Sequence, residues 1–108
     1  MKRFILIDSR DPFEESDGEW LRTLAVDLKS AGHSASVFLV ENAVFAARKH
    51  AQGSALDALK RAGVEIRADE FALRERGVRD ADTAPEVTPA PIDYIVTEMM
   101  RGASVIWR

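Results

Sequence analysis

Four consecutive apolar residues, Phe4-Ile5-Leu6-Ile7, stand between polar neighbours near the start of the chain. A run of that length predicts a strand buried on both faces. Ser9 to Gly18 is polar and holds the breakers Pro12 and Gly18, so it reads as a loop. The period then changes. Trp20, Leu21, Leu24, Ala25 and Leu28 recur at helical spacing, while Arg22, Asp27 and Lys29 take the other face. Asp17 fits the N-cap of this helix, Gly32 its C′ position, and Trp20 its core stripe. Ser34 to Val40 predicts a second strand, polar where it starts and apolar where it ends, with Glu41-Asn42 directly after it. Ala43 to Lys49 predicts a short helix. After a break at His50 to Gly53, Ser54 opens another, with Asp57 at N3, Leu56 and Leu59 inward, and Gly63 closing it.

The next stretch is the best defined. Val64, Ile66 and Ala68 alternate with Glu65 and Arg67, the period of a strand. Asp69 is placed to cap a helix that follows at once, and Gly77 to close it in the left-handed conformation. Val78 to Pro91 holds Pro85, Pro89 and Pro91 and predicts a surface loop with a short edge strand near Glu86 to Thr88. Pro91 suits a helix start, Ile92, Ile95, Val96 and Met99 form an expected inward stripe, and Gly102 ends the helix. Ala103 to Trp107 is the last strand. This order of elements predicts an α/β fold: a three-layer α/β/α sandwich on a mostly parallel sheet of four to five strands. Residues 1–108 are expected to form a single domain.

Composition narrows the function. The 108 residues carry a net charge of −3 with both signs interspersed, so no basic stripe tracks a nucleic-acid backbone. There is no cysteine, which excludes thiolate catalysis, persulfide carriage and cysteine-type zinc sites. Two histidines, His33 and His50, are too few for a His-rich metal site, and both are expected in structural or surface roles. No cofactor is implied, because neither glycine-rich phosphate-binding pattern is present. The apolar run after Met1-Lys2-Arg3 is too short for a signal peptide, and no segment reaches membrane-spanning length, so the expected location is cytoplasmic.

Chemistry in a parallel sheet gathers at the C-terminal ends of the strands. Three such ends carry polar residues here: Asp8-Ser9, Glu41-Asn42 and Asp69-Glu70. Converging carboxylates bind hard cations or shift one another's titration. Alternatively, each caps the helix that follows. Arg74 and Arg76 sit in the helix after Asp69 and suit either an anion or an ordinary helix C-terminus. Trp107, Phe45, Met99 and Met100 fit a core or a subunit contact. The ligand-binding candidates are therefore Asp8, Ser9, Glu41, Asn42, Asp69, Glu70 and Arg74, with no catalytic residue assigned.

Three stretches carry a family resemblance. They are Ala31-Gly32-His33-Ser34-Ala35-Ser36-Val37-Phe38-Leu39-Val40-Glu41-Asn42-Ala43-Val44, the run from Ala62 to Asp69 continued by Leu73-Arg74-Glu75-Arg76-Gly77-Val78, and Gly102-Ala103-Ser104-Val105-Ile106-Trp107. Together the chain resembles the DsrE/DsrF-like family over nearly its whole length. The resemblance implies a small α/β/α sandwich that assembles into trimers or hexamers, homomeric or mixed. Its best-known members, related to TusD and DsrE, pass persulfide sulfur between partners. Their acceptor cysteine ends the third strand, a place that falls on Asp69 here. A helix N-terminus favours a thiolate and a carboxylate alike, but only the thiolate carries sulfur.

The resemblance and the missing cysteine together imply a non-catalytic oligomeric protein of sulfur metabolism. Such a protein binds a small ligand or a relay partner, as a homo-oligomer or beside cysteine-bearing relatives. The competing expectation is a carboxylate site of Asp8, Glu41 and Asp69, metal-dependent or phospho-accepting. Against its receiver-like version stands the last strand, which runs into Trp107-Arg108 where a receiver needs lysine.

Overall fold

A computed structural model describes residues 1–13, 18–51 and 55–108. Five strands form one sheet: β1 (Arg3–Asp8), β2 (Ser34–Leu39), β3 (Glu65–Asp69), β4 (Val87–Ala90) and β5 (Ser104–Trp107). Their order is β4-β3-β2-β1-β5 and every neighbouring pair is parallel. Among the described residues four α-helices connect them: α1 (Glu19–Ser30), α2 (Asp57–Ala62), α3 (Glu70–Glu75) and α4 (Asp93–Met100). Short 3₁₀ segments lie at Glu41–Ala47 and Asp80–Asp82.

Strand periodicity divides the core in two. Leu6, Val37, Leu39, Ile66, Ala68 and Val87 point to one face and pack on Leu21 and Ala25 of α1, Leu59 of α2, and Ala72 and Leu73 of α3. Ile5, Ile7, Phe38, Val40 and Ala90 point to the other face and meet Ile95 of α4. Burying a side chain such as Phe38 contributes roughly 2–3 kcal/mol. Among the described residues the α/β/α sandwich is thus uneven, with the helices α1, α2 and α3 on one face and α4 on the other.

The chain winds outward from β1 through β2 and β3 to β4, then crosses back under α4 to lay β5 against the free side of β1. A right-handed crossover in the reverse direction must use the opposite face, which places α4 there. The strand order reverses between β1 and β5, so the topological switch point lies at Asp8 and Arg108.

Local signals hold well around β3. Asp69 caps α3, its Oδ1 accepting from the Phe71 amide at 3.3 Å, and Gly77 follows with φ 69°. Gly32 and Gly63 likewise adopt positive φ after α1 and α2. His33 is structural, accepting from the Lys2 amide at 3.1 Å and meeting the Phe4 ring edge-on.

Several expectations need correction. The segment after β2 is a 3₁₀ helix at Glu41–Ala47 rather than an α-helix over Ala43 to Lys49. Asp57 begins α2 instead of occupying N3. The caps assigned to Asp17 and Ser54 lie outside the described residues. Trp20 is 49% exposed, because α1 turns Leu21 and Ala25 inward and leaves the preceding position on its flank. The largest departure is α4. Of its expected stripe only Ile95 is buried, whereas Ile92, Val96 and Met99 are each more than half exposed. The side turned to the sheet is Tyr94, Ile95 and Glu98, with Tyr94 stacked on Phe38 at 5.8 Å.

Candidate functional site

The polar strand ends do share one edge of the sheet, but they fall into separate environments. At the switch point Asp8 is buried, and its Oδ1 accepts from Arg108 Nη1 at 2.7 Å. The Arg22 guanidinium stands 4.0 Å from Asp8 Oδ2, and the Arg10 amide donates to Oδ1 at 3.1 Å. Ser9 is held by Arg108 as well, its hydroxyl and amide both donating to the Arg108 carbonyl at 2.8 and 3.1 Å. Gly18 covers this pair. A Cβ there would collide with the Arg108 guanidinium, so any larger residue at this position must displace it. The crevice that doubly wound folds use for ligands is filled here by the chain's own arginine.

At the end of β2, Glu41 is exposed and has φ 49°, the only non-glycine residue in the left-handed region among those described. Asn42 follows, and its Oδ1 accepts from Arg76 Nε at 2.9 Å. This contact ties the 3₁₀ segment after β2 to the end of α3. Asp69 is occupied by its cap. Glu70 and Arg74, one helical turn apart on α3, line a cleft of about 590 Å³ closed on the other side by Pro85, Val87 and Pro89.

Asp8, Glu41 and Asp69 therefore do not form a common cation site. Among the described residues no group of three or more His, Asp or Glu side chains could hold a metal ion. No described helix is long and apolar enough to cross a membrane.

A second cleft, of about 720 Å³, is bounded by the loop at Asp11 and Phe13, the segment from Phe45 to His50, and the turn after α3. Arg48, Lys49, His50 and Arg76 line it, with the rings of Phe13 and Phe45. Its frame is a backbone pairing: the Lys49 amide donates to the Asp82 carbonyl, and the Ala84 amide to that of Ala47. Arg79 Nε donates to Asp82 Oδ2 at 2.9 Å, which holds the Asp82 carboxyl below its ordinary range and raises Arg79. No strand end lines this cleft. The signal was the contiguous Arg48-Lys49-His50, which follows a helical segment that was expected to run further.

Comparison with known proteins agrees with the fold. Residues 2–107 match the DsrE/DsrF-like family. Among solved structures, the ychN protein from E. coli superposes with a TM-score of 0.83 at 15% identity, each chain fully covered. MTH1491 from Methanobacterium thermoautotrophicum, a protein of unknown function, gives 0.77 at 23% identity, again with full coverage of both chains. BT1422 from Bacteroides thetaiotaomicron gives 0.73 at 17%, covering 96% of this chain and 93% of its own. None of the curated proteins compared matches the chain.

Proposed function

The chain belongs to the DsrE/DsrF-like family, and on that premise we propose that it is a non-catalytic, oligomeric accessory protein of intracellular sulfur metabolism. It binds a small ligand or a relay partner in the cytoplasm and transfers no persulfide itself. The observation that carries this reading is Asp69. It stands at the end of β3, where the family resemblance places a reactive thiol, and its carboxylate is used to cap α3. A carboxylate there keeps the helix and forgoes the sulfur.

Assembly is supported by the uneven sandwich. Ile92, Val96 and Met99 share one stripe of α4, and Met100, 84% exposed, lies beside it. Trp107 pairs in register with Ile7, so it projects from the same face of the sheet, and it is 61% exposed. Large apolar side chains of this kind, clustered on one face, suit a subunit contact better than water. The occupant proposed is another copy of this chain, in a trimer or hexamer, with a cysteine-bearing family member as the mixed-assembly variant.

The sulfur half of the reading is tested by incubating the protein with a persulfidated donor carrying labelled sulfur. The expected result is no protein-bound label above background and no acceleration of transfer to an added thiol. Catalysed transfer by the purified protein would overturn it.

A further inference from the structure

We propose that the cleft between Phe45–His50 and the turn after α3 binds a small organic anion. The ligand class is a phosphate- or sulfonate-bearing molecule with a planar apolar body. The cleft extends the ligand-binding half of the function proposed above, and its test is separate: anion binding can fail while the oligomer stands.

Charge is the first argument. The whole chain is acidic, with net charge −3, yet this cleft is lined by Arg48, Lys49 and Arg76, with His50 beside them. Two carboxylates oppose them, Asp11 and Asp82. Asp82 is already matched by Arg79, which is outside the lining. An excess of fixed positive charge is left along a concave surface, where its field is stronger than on a flat one.

Positioning is the second. Arg48 donates through Nε to the Phe45 carbonyl at 2.9 Å, and its guanidinium lies 5.1 Å from the Phe45 ring centroid. Arg76 is fixed in the same way, by Nε to Asn42. Both arginines are tethered by the inner nitrogen, and their terminal Nη groups make no hydrogen bond among the described residues. Lys49 and His50 make no side-chain hydrogen bond or ion pair among those residues, although both lie close enough to Asp82 to help hold its carboxyl below the ordinary range. Donors held in place before binding lose less entropy when an oxyanion arrives, and guanidinium forks match phosphate oxygens.

The third argument is the apolar lining. Phe13 is 42% exposed, and Phe45 is half-buried beneath the Arg48 guanidinium. Rings next to cations accept a flat apolar body by stacking while the anion meets the basic groups. A bare inorganic anion would leave the exposed Phe13 ring in water.

Isothermal titration calorimetry of the full chain at low ionic strength, with phenyl phosphate, inorganic phosphate and phenol as probes, tests this. Phenyl phosphate is expected to bind saturably and about tenfold tighter than inorganic phosphate, with no heat from phenol, a ratio of one decade per ~1.4 kcal/mol. Lys49→Glu is expected to weaken phenyl phosphate about tenfold or more, from reversing one charge in a concave site. Arg61→Glu, the same charge change on the exposed surface of α2, is expected to leave it unchanged. Arg76→Gln is the second variant, with circular dichroism confirming the fold of each. Absence of saturation at millimolar phenyl phosphate overturns the site. So does an equal loss in Lys49→Glu and Arg61→Glu, which would assign binding to net charge alone.

Discussion

Arg108 reaches Asp8 across 100 positions of sequence and closes on it at 2.7 Å, with both side chains only 4% exposed. This pair joins the ends of β1 and β5 at the point where the sheet reverses its winding. It occupies the crevice that doubly wound folds in general use for ligands. Removing Asp8 takes the 2.7 Å carboxylate away from a buried guanidinium. Asp8→Ala is therefore expected to cost about 3–5 kcal/mol in urea unfolding. Asp8→Leu combined with Arg108→Met should cost clearly less than the single change, because the buried guanidinium is removed together with its carboxylate. A single-variant loss no larger than that of an exposed ion pair would contradict this role.

Gly18 is expected to be coupled to the same pair. Its added Cβ would meet a guanidinium that Asp8 prevents from moving. Gly18→Ala should destabilise by about 1–3 kcal/mol, the usual cost of overpacking. In an Arg108→Met background the cost should fall, since the obstacle is gone. Additive losses in the double-mutant cycle would show that the close approach carries no energy.

Asp69→Ala is expected to cost about 1 kcal/mol, the value of a lost N-cap, with no change in oligomeric state. Thermal unfolding followed by circular dichroism measures it. A loss several times larger would mean that the carboxylate does more than hold α3.

Glu41 tests the reverse case. Its backbone lies in the left-handed region, which costs a residue with a Cβ about 1–2 kcal/mol, and its side chain is exposed. Glu41→Gly is expected to be neutral or to raise stability by up to about 1 kcal/mol, part of the relief being offset by the looser unfolded chain. A marked loss would reveal a role for the carboxylate at the end of β2.

What was legible in the sequence was what short-range chemistry decides. The alternation of Val64, Ile66 and Ala68, the cap at Asp69 and the stop at Gly77 involve neighbours only, and β3 and α3 appear where those signals stand. The α4 stripe misled for a physical reason. Apolar spacing reports that a face avoids water, not what covers it. Ile92, Val96 and Met99 turn away from the sheet that Tyr94 and Ile95 contact. The Asp8–Arg108 pair joins residues that no local pattern connects, so the strand-end carboxylates looked alike in the sequence although one is buried in an ion pair and another is a cap. The cationic cleft was missed because Arg48, Lys49 and His50 follow a 3₁₀ segment that ends at Ala47, which turns them toward Arg76 rather than along a helix.

The central claim is that the apolar side of α4 and β5 is a subunit contact of a family member that works as an assembly. Size-exclusion chromatography with light scattering, run on the wild type and on Val96→Asp combined with Met99→Asp, tests it most directly. Wild type is expected at the mass of a trimer or hexamer. The double variant, with charges placed in the stripe, is expected to dissociate while keeping its circular dichroism spectrum. A wild-type protein that elutes and scatters as a monomer at micromolar concentration would contradict the account.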